Sequence, residues 1–197
     1  ASSAASSVPS SADAFDAAIR RAAETVQDAV VAAGLARAVI LIDGRSGAGK
    51  TTLAALLRER WSGDVQIVAL DDVYPGWDGL AAGAEIVREQ ILEPLANGTS
   101  AHWRRWDWAR AEPGETMVTD ATTPVIIEGS GVLTPASAVL APIRVWLESP
   151  TASRRERALA RDGDTYRPHW DRWAAQEDVH LTADAPRDLA TIIIDVP

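Results

Sequence analysis

Residues 38–57 read AVILIDGRSGAGKTTLAALL, a short apolar run, a glycine-rich turn and a helix-forming segment in unbroken succession. The run AVILID (38–43) is β-branched and continuously apolar, as expected of a strand buried on both faces. Gly44, Arg45, Ser46, Gly47, Ala48, Gly49, Lys50 and Thr51 satisfy the spacing glycine, four residues, glycine-lysine-threonine. Glycines at these positions let the backbone turn tightly, so that successive N–H groups converge on an anion. The helix expected to begin near Lys50 adds its positive dipole end.

Lys50 is the sole lysine, whereas the other eighteen of the nineteen basic side chains are arginine. Arginine presents a planar, bulky fork, and a tight loop needs a compact cation on a flexible stem. The retained lysine therefore agrees with a phosphate cradle formed by Gly44, Ser46, Gly47, Ala48, Gly49, Lys50, Thr51 and Thr52. In such a cradle the Lys50 ammonium bridges β- and γ-phosphates and the Thr51 hydroxyl is offered to Mg²⁺. ATP and Mg²⁺ are the expected cofactors.

Working outward, apolar residues recur at helical spacing from Asp13 to about Ala33, with Gly34 as the stop. VQIVAL (65–70), PVIIEG (124–129), IRVWLE (143–148) and TIIID (191–195) are further core strands. GAEIVREQILEPLANG (83–98) and TASRRERALARD (151–162) have helical character. AHWRRWDW (101–108) and ETMVTD (115–120) flank the turn ARAEPG, which predicts a hairpin or flap over about 100–120. Strands alternating with helices define a three-layer α/β/α nucleotide-binding fold with a mostly parallel five-stranded sheet and a small lid. Residues 1–12, rich in Ser and Ala, are expected to form a flexible tail, and 13–197 one domain with its lid at about 154–172.

The composition narrows the function classes. The 197-residue chain carries a formal charge of −9 and a pI near 4.8, which argues against a broad nucleic-acid footprint. It has no cysteine, excluding disulfides, thiolate metal sites and a cysteine nucleophile, and suiting the cytoplasm. No apolar stretch approaches membrane-helix length, so no membrane partner is expected. With its one lysine used, the chain has no Asn-Lys-x-Asp guanine motif.

IDGRSGAGKTTLAALL (42–57), LDDVY (70–74), WDW (106–108), VIIEG (125–129) and ESPTASRRERALARD (148–162) follow the order seen in uridine kinase and phosphoribulokinase-like P-loop kinases. ADAPRDLATIIID (183–195) resembles that group's closing segment, so the likeness spans roughly residues 38–197. The resemblance implies transfer of the ATP γ-phosphoryl group to the hydroxyl of a small acceptor such as a nucleoside. It casts Asp71 as the carboxylate that orients the acceptor hydroxyl, and Tyr74 as an acceptor contact. It makes Glu128 a Mg²⁺ or acceptor ligand beside Thr51, and Arg154, Arg157 and Arg161 the lid arginines. Trp106, Asp107 and Arg167 complete the acceptor side.

Each residue also has a plainer reading. Asp71 and Asp72 can cap a turn, Tyr74 can pack in its loop, and Glu128 can end a surface strand. Arg154, Arg157 and Arg161, at spacings of three and four, share a helix face that Glu156 and Asp162 could neutralise in solvent. Strand alternation would put Trp106 and Trp108 on one face with Arg104, and Trp103, Arg105 and Asp107 on the other. Those tryptophans can stack on a ligand, fill a core or form a homodimer interface. Trp170 and Trp173 have the spacing of one packed helical face, and His102, His169 and His180 show no metal-ligand spacing. The acceptor side also departs from the kinase pattern: GWDG (76–79) replaces an Asp-His-Pro-containing stretch, and Trp-Asp-Trp replaces Tyr-Asp-Phe.

Overall fold

The structure, a computed structural model, describes residues 10–35 and 37–197. Most of the expected tail, residues 1–9, lies outside the described residues. Helix α1 (Ser11–Ala33) begins two residues earlier than the periodicity suggests. The reason is a reciprocal cap: the Asp13 amide donates to Ser10 Oγ, and the Ser10 amide donates to the Asp13 carboxylate. Gly34, in the left-handed region at φ 61°, ends the helix.

Five parallel strands form the central sheet in the order β2 (Gln66–Ala69), β5 (Val125–Glu128), β1 (Val39–Gly44), β6 (Ile143–Glu148) and β7 (Ile192–Asp195). Alternate side chains enter different cores. Leu41, Val125 and Ile127 join one cluster, and Ile40, Ile42 and Ile126 the other. This division explains why the strand sequences are continuously apolar rather than alternating. Each such side chain removed from water contributes roughly 1.5–3 kcal/mol. One core lies beneath α1 and α2 (Lys50–Glu59); the other is covered by α3 (Leu80–Val87), the hairpin of β3 (Ala101–Asp107) and β4 (Glu112–Thr119), and α7 (Trp170–Asp184).

The segment expected as a single helix over 83–98 is continuous but uneven. Between α3 and α4 (Glu93–Ala96) the chain opens into a π turn over Arg88–Leu92. Pro94 supplies the cause, because its ring lacks an N–H and crowds the carbonyl one turn back. Arg88 spans the widened turn, bonding the carboxylates of Glu85, Glu89 and Glu93.

Strands β3 (Ala101–Asp107) and β4 (Glu112–Thr119) form an antiparallel hairpin outside the main sheet. Their register slips between Arg104 and Trp106, which ends the simple alternation expected for this stretch. Trp103 is buried and donates its indole N–H to Thr119 Oγ1, whereas Trp108 lies past the strand end. Short helices α5 (Pro135–Ala138) and α8 (Pro186–Leu189) and the long α6 (Thr151–Tyr166) complete the three layers. Among the described residues, no helix is long and apolar enough to cross a membrane.

Candidate functional site

The carboxyl ends of β1, β2 and β5 converge on a cavity of about 460 Å³. That position, outside the strand ends of an open parallel sheet, is where such folds hold ligands. The chain leaves β1 at Gly44, turns through Arg45–Gly49, and enters α2 at Lys50. Gly47 has φ 81°, and a Cβ there would run into the Arg154 carbonyl of α6. Gly49, at φ 106°, meets Phe15 and Ile19 of α1, so the loop, α6 and α1 press together where no side chain fits.

Lys50 is 8% exposed. Its ammonium curls back over the loop, donating to the carbonyls of Gly44 (2.6 Å) and Arg45 (3.1 Å) and to Ser130 Oγ (3.2 Å). Its neighbour Thr51 donates its hydroxyl to Glu128 Oε1 at 2.9 Å. Glu128 ends β5, and burial pushes its carboxyl above the ordinary range against the pull of Lys50. Asp71 lies in the 3₁₀ turn that follows β2. Asp71 keeps exposed surface and lines the cavity. Desolvation raises its pKa, while Arg161 and Lys50 oppose the rise.

Beneath the loop is a buried polar network that the sequence did not flag. Asp43, fully buried, accepts the amides of Gly44 (2.6 Å), Gly131 (3.0 Å) and Leu133 (2.8 Å). His180 of α7 stands between Asp43 (3.1 Å) and Asp184 (2.8 Å). Burial disfavours the imidazolium, but the two carboxylates outweigh it and its pKa is raised. Glu177, one turn earlier, accepts the Ser46 amide at 2.6 Å, lies 3.0 Å from Ser130 Oγ, and pairs with Arg45 at 2.9 Å. The only sequence signal for this network was the i, i+3 spacing of Glu177 and His180, which many exposed helices share.

The arginines of α6 separate by depth. Arg154 is buried, donating to the carbonyls of Ser149 and Ser46 and to Thr151 Oγ1. Arg157 donates to the Gly47 and Pro197 carbonyls and lies over the Phe15 ring at 4.6 Å. Both brace the loop from outside, whereas Arg161 faces the cavity, held by Asp162 at 2.6 Å. Arg167 is exposed and pairs with Asp164 at 3.4 Å. Its place, like those of Trp106 and Asp107, is away from the described cavity lining. Asp107 instead accepts the amides of Ala109 and Arg110 and shapes the hairpin turn.

Trp108 takes the cavity position. Its indole N–H donates to the Asp71 carbonyl at 2.8 Å. Tyr74 lines the same space with its hydroxyl bonded to the Ser130 carbonyl at 2.7 Å. Trp170 and Trp173 pack as their spacing suggests, but Trp173 also faces the cavity, edge-on to Tyr74 at 4.7 Å. His169 lies parallel to Trp77 at 4.1 Å.

Together the sheet order, the glycine loop and the enclosing helices make this a three-layer α/β/α P-loop NTPase fold. No protein family and no curated protein matches the chain by sequence. Solved structures match it in fold. One described as a possible uridine kinase from Bacillus stearothermophilus aligns with TM-score 0.64 at 19% identity, over 91% of this chain and 98% of that one. A provisionally described fructose transport system kinase from Silicibacter sp. TM1040 aligns with TM-score 0.50 at 20% identity, over 87% and 97%. The YGR205w protein aligns with TM-score 0.55 at 12% identity, over 90% and 94%. At these identities the likeness is one of fold.

Proposed function

We propose that the chain is an ATP-dependent phosphotransferase that moves the γ-phosphoryl group of ATP to a hydroxyl of a small molecule. One observation carries this reading: Lys50, the Thr51–Glu128 pair, Asp71 and Arg161 border a single cavity. A carboxylate at that place can orient an acceptor hydroxyl or an attacking water, and dependence of turnover on an added alcohol separates the two.

The loop amides and Lys50 hold the triphosphate, the ammonium exchanging its loop carbonyls for phosphate oxygens. The oxygens of Thr51 and Glu128, 2.9 Å apart, fit Mg²⁺, a hard cation that takes one or two protein oxygens and completes its shell with phosphate and water. When bound, the metal neutralises charge on the β- and γ-phosphates. Asp71 accepts a hydrogen bond from the acceptor hydroxyl and aims its oxygen at phosphorus. Desolvation makes this carboxylate more basic, which favours taking the proton as the new O–P bond forms. Arg161 stabilises charge on the transferring group.

In this reading residues 154–172 form a lid whose moving part begins beyond Arg157. Gly163 (φ 56°, ψ −134°) breaks the helical path two residues after Arg161 and gives the lid its hinge. Arg154 and Arg157 then belong to the fixed frame.

Coupled measurement of ADP release across a panel of alcohols tests the function. Release that depends on a particular alcohol, and is lost in Asp71→Asn, supports it. Equal release with and without any alcohol would make the chain an ATPase. Absence of calorimetric heat with Mg²⁺ and an ATP analogue would remove the nucleotide reading altogether.

A further inference from the structure

Five ring side chains, Tyr74, Trp77, Trp108, Tyr166 and Trp173, wall the end of the cavity that holds Asp71. Trp77 is seated by rings on several sides: His169 stacks at 4.1 Å with planes 10° apart, Trp108 lies at 5.1 Å, and Tyr166 at 5.7 Å. Its loop is fixed to α7 by the Arg172–Asp78 ion pair and by Gln176, which bonds the Trp77 carbonyl (2.8 Å) and the Leu80 amide (3.2 Å). Trp77 is thus packed in place where Tyr166, His169 and Arg172 of the proposed lid lie against its loop. Trp108, 41% exposed, keeps open ring surface while its N–H bond anchors it to the main chain of Asp71.

Several polar groups of this wall are committed, while Thr165 and the Trp77 and Trp173 indole N–H groups also line the cavity. The Tyr74 hydroxyl serves Ser130, the Trp108 N–H serves Asp71, and Asp162 holds Arg161. No asparagine or glutamine is among the described lining residues, and the nearby Gln176 amide is already bonded at both ends. A sugar or polyol entering here would lose water from several hydroxyls and meet mostly ring faces in exchange. A nucleobase would find ring faces to stack on but no side-chain amide to read its edge. A flat, largely apolar ring loses nothing by this and gains stacking.

Resting on the phosphotransferase reading above, we propose that the acceptor is an aromatic alcohol. Its planar ring lies against Trp108, and its hydroxyl, on a short arm, meets the Asp71 carboxylate. In the reaction the hydroxyl proton passes to Asp71 as the alcohol oxygen bonds to the γ-phosphorus. The bond from that phosphorus to the β-phosphate bridging oxygen breaks, ADP departs, and Asp71 returns its proton to solvent. The product is the phosphate ester of the aromatic alcohol.

Titration calorimetry on the full chain tests this, using 4-hydroxymethylpyridine, 2-phenylethanol, uridine, cytidine, glycerol and sorbitol. Each is measured with and without Mg²⁺ and a non-hydrolysable ATP analogue. Ring alcohols are expected to bind at least about tenfold more tightly than glycerol or sorbitol. Uridine and cytidine should differ from each other by less than threefold. Trp108→Leu should weaken the ring alcohols by about tenfold, and Trp108→Phe should restore most of the loss. Preference for a polyol, tenfold selection between the two nucleosides, no binding by either ring alcohol, or an unchanged affinity in Trp108→Leu each overturns the proposal. Heat from a ring alcohol but none from the ATP analogue would leave the ring site standing and sink the phosphotransferase reading instead.

Discussion

The Glu177 carboxylate accepts a hydrogen bond from the Ser46 amide at 2.6 Å across 131 residues of chain, tying α7 to the phosphate loop. The same carboxylate lies beside Ser130, whose Oγ receives the Lys50 ammonium, and it pairs with Arg45. Helix α7 thereby touches both halves of the cavity, since Trp173 on it packs against Tyr74.

Replacing Glu177 by alanine leaves the half-buried Ser46 amide without its acceptor, while Ser130 keeps only the Gly44 carbonyl as acceptor and Arg45 only Asp178 and the Ala174 carbonyl. The expected cost is roughly 2–4 kcal/mol, read as a lower denaturation midpoint. Affinity for Mg²⁺ and an ATP analogue should fall as well. Glu177→Gln, which retains one acceptor oxygen, should lose less on both counts.

Stability should depend on pH through His180. Its folded pKa lies above the ordinary 6.5, so the folded state holds its proton more tightly than the unfolded chain does. The resulting stabilisation is fully present below about pH 6.5 and is lost as pH rises through the folded value. Chemical denaturation at successive pH values should show that decline, and His180→Gln should flatten it.

Asp71→Asn should slow phosphoryl transfer by about 10²–10⁴-fold while leaving the heat of nucleotide binding nearly unchanged. In the native protein the rate should fall with acidification through a pKa above the ordinary 3.8, because desolvation raises this carboxyl. A pH–rate profile flat in that limb would remove Asp71 from the role of base.

Lys50→Arg should fail to rescue Lys50→Ala. The ammonium sits among three oxygen acceptors at 2.6–3.2 Å in a space that leaves it 8% exposed, and a planar fork cannot occupy it. Both variants should bind an ATP analogue about 10–100-fold more weakly by calorimetry.

Substituting alanine at Gly47 should destabilise the fold as well as the site, because the added carbon meets the main chain of Arg154 at a left-handed φ of 81°. Either the loop or α6 must move. Roughly 2–4 kcal/mol is expected, measured by equilibrium denaturation.

The glycine loop with its flanking strand and helix was legible in one contiguous stretch, from Val39 to Thr52. Glycine spacing sets that backbone locally, and the strand before and the helix after are forced by a two-face apolar run and a run of helix formers. The five-strand parallel sheet followed from the same logic, since Leu41 and Ile42 each need a separate core. Tertiary structure alone decided the rest. The register slip after Arg104 carried Trp108, rather than Trp106, to Asp71. Packing of α6 against the loop turned Arg154 and Arg157 into braces and left Arg161 facing the cavity. Asp43 met His180 across 137 residues, and Glu177 met Ser46 across 131. Such pairings depend on how helices settle on the sheet. The energy that settles them comes from side chains spread along the whole chain, so no local pattern records which distant carboxylate will arrive beneath the loop.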